Sequence, residues 1–134
     1  MMTLEKLNTY RALQKDIELD LQRKRLLEIE AYAAGASQIG GMPSSHEPHS
    51  RTEQYAIRLA ELAKKLQEDI YRKIEIEIEI RTFFESQEAP MRLILKMRFE
   101  KGYSWNRVAL EAGMSSEAVR KAVYRMIHKY AKNH

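Results

Sequence analysis

SWNRVALEAGMSSEAVRKAVYRMIHKY, residues 104–130, is the stretch whose reading decides the fold. It reads as two short helices joined by a tight turn. The first runs from Trp105 to Ala112 with Ser104 as its N-cap, since a serine oxygen can accept from the free N–H groups of a first helical turn. The turn is Gly113-Met114-Ser115. Gly113 takes positive φ without steric cost, which suits a C-cap and a change of direction. Ser115 or Ser116 caps the second helix, and Glu117 sits in its first turn, where the helix dipole favours an acid. Val108, Ala109 and Ala112 line one face of the first helix, Met114 plugs the turn, and Val119, Ala122 and Val123 line the inner face of the second. Ala109 is small enough to let the helices approach closely. This is the pattern of a helix-turn-helix, whose second helix enters the DNA major groove.

The outer face of the second helix carries Ser115, Ser116, Glu117, Arg120, Lys121, Tyr124 and Arg125. Arginine can bond guanine through two N–H groups, serine can reach base or phosphate, and glutamate can accept from cytosine. Arg107 and Lys129 lie towards the edges of the motif and suit phosphate contacts. The plainer alternative is a helical hairpin with a solvated basic face.

Charge distribution favours the first reading. The 134 residues carry a formal net charge of +4, with a pI near 9.3. Residues 91–134 hold 10 Lys/Arg against 3 Asp/Glu, whereas residues 1–90 hold 13 against 16. A basic half beside an acidic one points to a polyanionic partner for the basic half. There is no cysteine, hence no disulfide framework and no thiolate metal site. No apolar run approaches the ~20 residues that span a bilayer. Glu5 and Lys6 come too early for the apolar region of a signal peptide, so a cytoplasmic location is expected.

Upstream, residues 3–34 lack Pro and Gly, and Leu4, Leu7, Tyr10, Leu13, Ile17 and Leu21 form a helical stripe. Thr3 can cap this helix, although Lys6 stands where a capping box wants an acid or amide. Such a helix is not stable by propensity alone and needs a partner for its stripe. Residues 35–50 contain three Gly, two Pro and four Ser, a flexible connection. His46, Glu47 and His49 fall there without a third or fourth strong ligand nearby, so a solvated loop is the better reading than a metal site. Ile39 and Met42 are its only candidates for docking on the helices.

Residues 51–87 read as a second long helix with a stripe of Tyr55, Leu59, Leu62, Leu66, Ile70, Ile74 and Ile78. The alternation from Ile74 to Ile80 also fits a β-strand. The helical stripe enters it unbroken and no turn residue bounds it, so helix is preferred. Ile76, Ile80 and Phe83 then begin a second apolar face. A helix apolar on two faces needs two covers. The N-terminal helix, folded back antiparallel, supplies one; the other is the C-terminal domain or a second subunit, which makes Ile76, Ile80 and Phe83 the candidate oligomer interface of a homodimer. Ser86 to Pro90 reads as a hinge, with Pro90 in the first turn of a further helix. That helix runs to Lys101, with Leu93, Ile94, Met97 and Phe99 inside, and Gly102 ends it. Trp105 packs across the small core so formed. The fold expected is all-α: a coiled-coil-like helical hairpin over residues 1–87 (helices about 3–34 and 51–87), then a helix-turn-helix domain over 88–134.

The run from Leu93 to Trp105, LILKMRFEKGYSW, followed by Val108-Ala109 and by Met114 to Lys121, resembles region four of bacterial sigma factors. It is more similar still to the small sigma-like proteins of bacteriophages and prophages, of the RinA and ArpU kind. The resemblance covers about residues 90–130 well and the N-terminal hairpin loosely. It implies transcriptional control of phage genes, with the helix from about Ser116 to Tyr130 reading double-stranded DNA. Sigma factors carry Arg on both sides of the Glu at the start of that helix; here Ser116 and Ala118 flank Glu117, so a standard promoter sequence does not carry over.

Three functions fit these features. The first is a DNA-binding transcriptional regulator. The second is the DNA-recognition subunit of a phage packaging terminase, though such subunits usually place the DNA-binding domain first. The third is an adaptor that docks on bacterial RNA polymerase. No nucleophile–base pairing, phosphate loop or metal constellation suggests an enzyme, and no cofactor is implied.

Overall fold

A computed structural model describes residues 1–39 and 51–133. Among these, every regular element is helical: α1 (Leu4–Ile39), α2 (Arg51–Glu85), α3 (Ala89–Leu95), α4 (Trp105–Ala112) and α5 (Ser116–Asn133). The Ile74–Ile80 alternation lies within α2, so it is not a strand. Thr3 caps α1, its Oγ1 accepting from the Lys6 N–H at 3.1 Å. The sequence places a loop from Gly35, but α1 continues to Ile39. A single helical Gly costs only about 1 kcal/mol relative to Ala, too little to end a helix already 30 residues long. Met42, His46, Glu47 and His49, the rest of the expected connection, lie outside the described residues.

The chain forms two compact units, Asp16–Ile70 and Met1–Lys15 with Tyr71–His134. The first fifteen residues and the end of α2 thus belong with the C-terminal helices, whereas the sequence-based division falls at 87/88.

In the Asp16–Ile70 unit, Leu62 and Leu66 of α2 are buried. Asp20 of α1 is the one charged residue buried among those described, at 5% exposure. Its carboxylate accepts from the Lys65 ammonium, which also reaches Asp69 at 3.3 Å. Arg23 lies 3.8 Å from the other Asp20 oxygen. A paired acid at a helix–helix seam is tolerated because the pairing offsets its desolvation.

The inward face of α2 departs from the expected stripe. A step of four residues turns a helix about 40° past a full turn. Ile70, Ile74 and Ile78, each four apart, therefore rotate outward, and their exposure climbs from 38% to 50% to 75%. The buried positions alternate steps of three and four instead: in the second unit Ile76 is half-buried and Ile80 and Phe83 are fully so. That is the spacing of a coiled-coil seam.

The core of this second unit joins Leu7 and Tyr10 of α1 and Ile80, Phe83 and Phe84 of α2 to Ile94, Leu95, Met97, Phe99, Val108, Ala109, Val119, Val123 and Ile127. Ile80 and Phe83 are thus covered by the chain's own helices. This corrects the assignment of Ile80 and Phe83 to an oligomer interface, since the C-terminal helices and α1 supply the second cover. Ile76 packs half-buried against the same core, and Ile70, Ile74 and Ile78 stay exposed on α2. A second correction concerns α3. Leu93 is 57% exposed, while Leu95 is fully buried. After Leu95 the helix widens to a π-helical turn, Lys96–Glu100. Its wider winding changes which side chains point inward, so the 3.6-residue spacing does not hold across it.

Candidate nucleic-acid interface

The candidate surface is assembled by three chain reversals, each with an identifiable cause. The first closes the π-helical turn. Lys101 N–H reaches Lys96 O at 2.9 Å and Tyr103 N–H reaches Met97 O at 3.0 Å. Gly102 makes this possible with φ of +74°, a region costly for residues with a Cβ. Two arginines hold the reversal from outside. Arg11 of α1 donates to Gly102 O and Arg98 donates to Tyr103 O, each at 3.0 Å.

The second reversal begins α4. Ser104 Oγ accepts from Arg107 N–H at 3.2 Å, as a capping serine should. Trp105, the first helical residue, is half-buried. Its ring stands edge-on to Phe99 and to Tyr124, and the Arg98 guanidinium lies 4.4 Å from its centre. Arg107 is stacked 3.7 Å over Tyr103.

The third reversal joins α4 to α5. Gly113 is left-handed, with φ of 68°, and Met114 N–H returns to Ala109 O at 3.0 Å. Ser115 Oγ accepts from Ala118 N–H at 3.1 Å, so Ser115 is the residue that caps α5. Ser116 donates its hydroxyl proton to Asn106 Oδ1, tying the start of α5 to the start of α4. Val108 and Ala109 meet Val119 and Val123 in the core between the two helices. Ala109 is 5% exposed, a small residue within that packing.

The sequence-selected residues differ in how far they are free to act. Arg120, Lys121 and Arg125 are exposed on α5. Lys121 is paired with Glu117 at 2.9 Å, four residues before it on the exposed face. Tyr124 is 42% exposed, with one side of its ring against Trp105. Ser115 and Ser116 are committed to the cap and to Asn106, which makes them parts of the scaffold. Arg107 and Lys129 are both exposed. Asn106, Arg98 and Arg11 were not selected from the sequence. Asn106 stands at the second position of α4 and Arg11 lies 91 residues from the carbonyl it bonds, so no local pattern marks either one.

The electrostatics are uneven. Burial, and then the neighbouring charge of Arg11, hold the Arg98 pKa below the usual arginine value. Arg92 and Lys96 by contrast share Glu85, each at 3.5 Å. Between α3 and α5 runs a groove of about 700 Å³ whose apolar lining is Met91, Ile94, Met114, Ala122 and Met126, with Lys129 at its edge. Met114 lines this groove at 41% exposure; it does not plug the turn. Among the described residues no group of three His, Asp or Glu side chains is placed to hold a metal ion. No described helix is long and apolar enough to cross a membrane. In comparisons with known proteins, no family model, no curated protein and no solved structure matches the chain.

Proposed function

We propose that the chain is a sequence-specific DNA-binding transcriptional regulator of the phage sigma-like kind, with α4 and α5 as its helix-turn-helix and α5 as the helix that enters the major groove. The observation that carries this reading is the disposition of α5. Its Val119, Val123 and Ile127 face is buried, while Arg120, Lys121 and Arg125 are left to solvent on a helix capped by Ser115 and fixed to α4 through Asn106. A major groove about 12 Å wide admits one such helix, and arginine and lysine at its exposed positions can reach base edges. The net charge of residues 91–134 supports the same partner, a polyanion.

The proposal includes a homodimer, as two half-sites would require. Ile74 and Ile78 are among the exposed apolar residues that could form it, beside Ile70 and Tyr71 on the same helix. The test is titration of the full chain against a genomic fragment library at several salt concentrations, followed by sedimentation of the complex. Enrichment of one sequence, with two chains per site, is the expected result. Equal binding to all duplexes, or none at low salt, overturns it.

The adaptor reading has one observation of its own, the methionine-lined groove beside α3, because adaptable Met-rich surfaces suit protein partners. Binding of RNA polymerase without DNA would favour it.

A further inference from the structure

Ion pairs tie up many of the cations in the unit formed by Met1–Lys15 and Tyr71–His134. Lys6 meets Glu79, Arg81 meets Glu77, Arg92 and Lys96 meet Glu85, and Lys121 meets Glu117. Four others converge on the two-residue reversal Gly102–Tyr103. Arg11 bonds the Gly102 carbonyl and Arg98 the Tyr103 carbonyl. The Lys101 ammonium lies 5.9 Å over the Tyr103 ring and Arg107 is stacked 3.7 Å over it. None of the four forms an ion pair with an acid among the described residues. The Nε–H groups of Arg11 and Arg98 are buried and have no acceptor there.

We infer that the Gly102–Tyr103 reversal is a phosphate site, built by Arg11, Arg98, Lys101 and Arg107, and that through Arg11 the N-terminal helix takes part in holding a phosphodiester. The inference rests on the DNA-binding reading and adds to it a contact outside the helix-turn-helix. Bonding the two carbonyls accounts for one N–H on each arginine. It does not account for two guanidinium groups brought together with no acid between them. Their mutual repulsion, which also helps depress the Arg98 pKa, is relieved when an anion sits beside both. Guanidinium groups suit this role because their N–H forks match phosphate oxygens and they keep their charge when partly desolvated. Stacking on Tyr103 and Trp105 fixes two of them beforehand, so less side-chain freedom is lost on binding.

The experiment uses the full chain and a random-sequence duplex, with binding measured across salt concentrations for wild type, Arg11→Gln, Lys101→Gln and Lys64→Gln. Lys64 is exposed in the other unit and serves as the control. Arg11→Gln and Lys101→Gln are each expected to weaken binding several-fold and to lower the salt slope by about one counterion, while Lys64→Gln changes neither. Lys101 is exposed, so its variant decides the matter if Arg11→Gln fails to fold. Unchanged slopes in the Arg11 and Lys101 variants overturn the site and leave the DNA-binding reading standing. An equal loss in all three variants makes the attraction diffuse and also overturns it. If wild type binds no duplex, the functional reading fails and inorganic phosphate becomes the probe. Thermal stabilisation of wild type by phosphate, absent in Lys101→Gln, then keeps the site as one for a free phosphate; no such difference overturns it.

Discussion

The indole of Trp105 and the phenol ring of Tyr124 meet edge to face, their centres 6.3 Å apart and their planes at 86°. This contact links the first residue of α4 to the middle of α5, and it turns one side of Tyr124 away from any ligand. Edge-to-face pairs are worth about 0.5–1.5 kcal/mol beyond the area they bury. A double-mutant cycle on Trp105→Ala and Tyr124→Ala should give a coupling of that size in urea unfolding. Trp105→Ala alone should cost about 2–3 kcal/mol, below the range for a fully buried tryptophan because Trp105 is half-exposed. A coupling near zero would show that the two rings are neighbours without consequence.

Gly113 tests the turn between the same two helices. Its φ is +68°, and a Cβ built there meets nothing within 4 Å. The cost of Gly113→Ala is therefore conformational and not steric, about 1 kcal/mol. Gly113→Asn should cost less, since Asn tolerates the left-handed region. Urea midpoints for the two variants check the order. A cost several times larger for Ala would mean that the turn tightens in a way this geometry does not contain.

The two apolar faces of α2 give opposite expectations. Ile80 is fully buried, so Ile80→Asp leaves an unpaired charge in the core and should unfold this unit, at a cost above about 3 kcal/mol. Ile78 is 75% exposed, so Ile78→Asp should change stability by no more than about 0.5 kcal/mol. If the dimer uses the Ile74–Ile78 face, Ile78→Asp with Ile74→Asp should sediment as a monomer with its helix content intact. A variant pair that remains dimeric would remove this face from the interface.

Tyr10 makes alkaline stability measurable. It is 1% exposed, and its pKa is pushed up to about 12, chiefly by burial and then by Glu77 and Glu100. The phenol also donates to Glu77 at 3.3 Å, Lys73 lies 6.0 Å over the ring, and Arg81 opposes the shift weakly. A folded-state pKa above the unfolded value gives stability that is complete below about pH 10. That stability is lost as the pH rises through about 12. Lys6 and Lys65 are shifted upward as well, by hydrogen bonds to Glu79 and to Asp20. The informative quantity is the difference between wild type and Tyr10→Phe. Melting temperatures of the two should run parallel up to pH 10 and then converge, wild type falling faster. Parallel curves to pH 12 would place the Tyr10 hydroxyl in contact with water.

What was legible in the sequence follows from which signals are local. The bounds of α4, its Ser104 cap and the left-handed Gly113 depend on residues within a few positions of one another, and all three appear as read. The buried faces of α1 and α2 depend on which neighbour each helix meets. The four-residue spacing of Ile70, Ile74 and Ile78 looked like a core stripe, but a seam follows a 3.5-residue repeat and leaves them outside. Asp20 was invisible as a buried residue because its partner, Lys65, lies 45 residues away. The same reason hid Arg11. Leu95 was missed because nothing in KMRFE announces a π-helical turn.

If the chain binds DNA as proposed, variants of Arg120 and Lys129 separate reading a sequence from being attracted to DNA. The two lie nine residues apart on α5, two and a half turns at ~3.6 residues per turn, and so occupy opposite edges of the helix. Arg120 stands one turn after Ser116, near the end tied to Asn106. Lys129 lines the edge of the methionine groove near the far end. N-terminal residues of a recognition helix are the ones that meet base edges, and base contacts carry discrimination whereas phosphate contacts carry affinity. Arg120→Ala is therefore expected to cost about 1–3 kcal/mol on the preferred site and much less on a random duplex. Lys129→Ala should weaken both duplexes alike and lower the salt slope by about one counterion. Titrations of both variants on both duplexes at several salt concentrations provide the check. Equal weakening by Arg120→Ala on the two duplexes would mean that α5 does not read sequence at that position. No effect from either variant would leave α4 and α5 as a packed helical pair whose exposed face has no role on DNA.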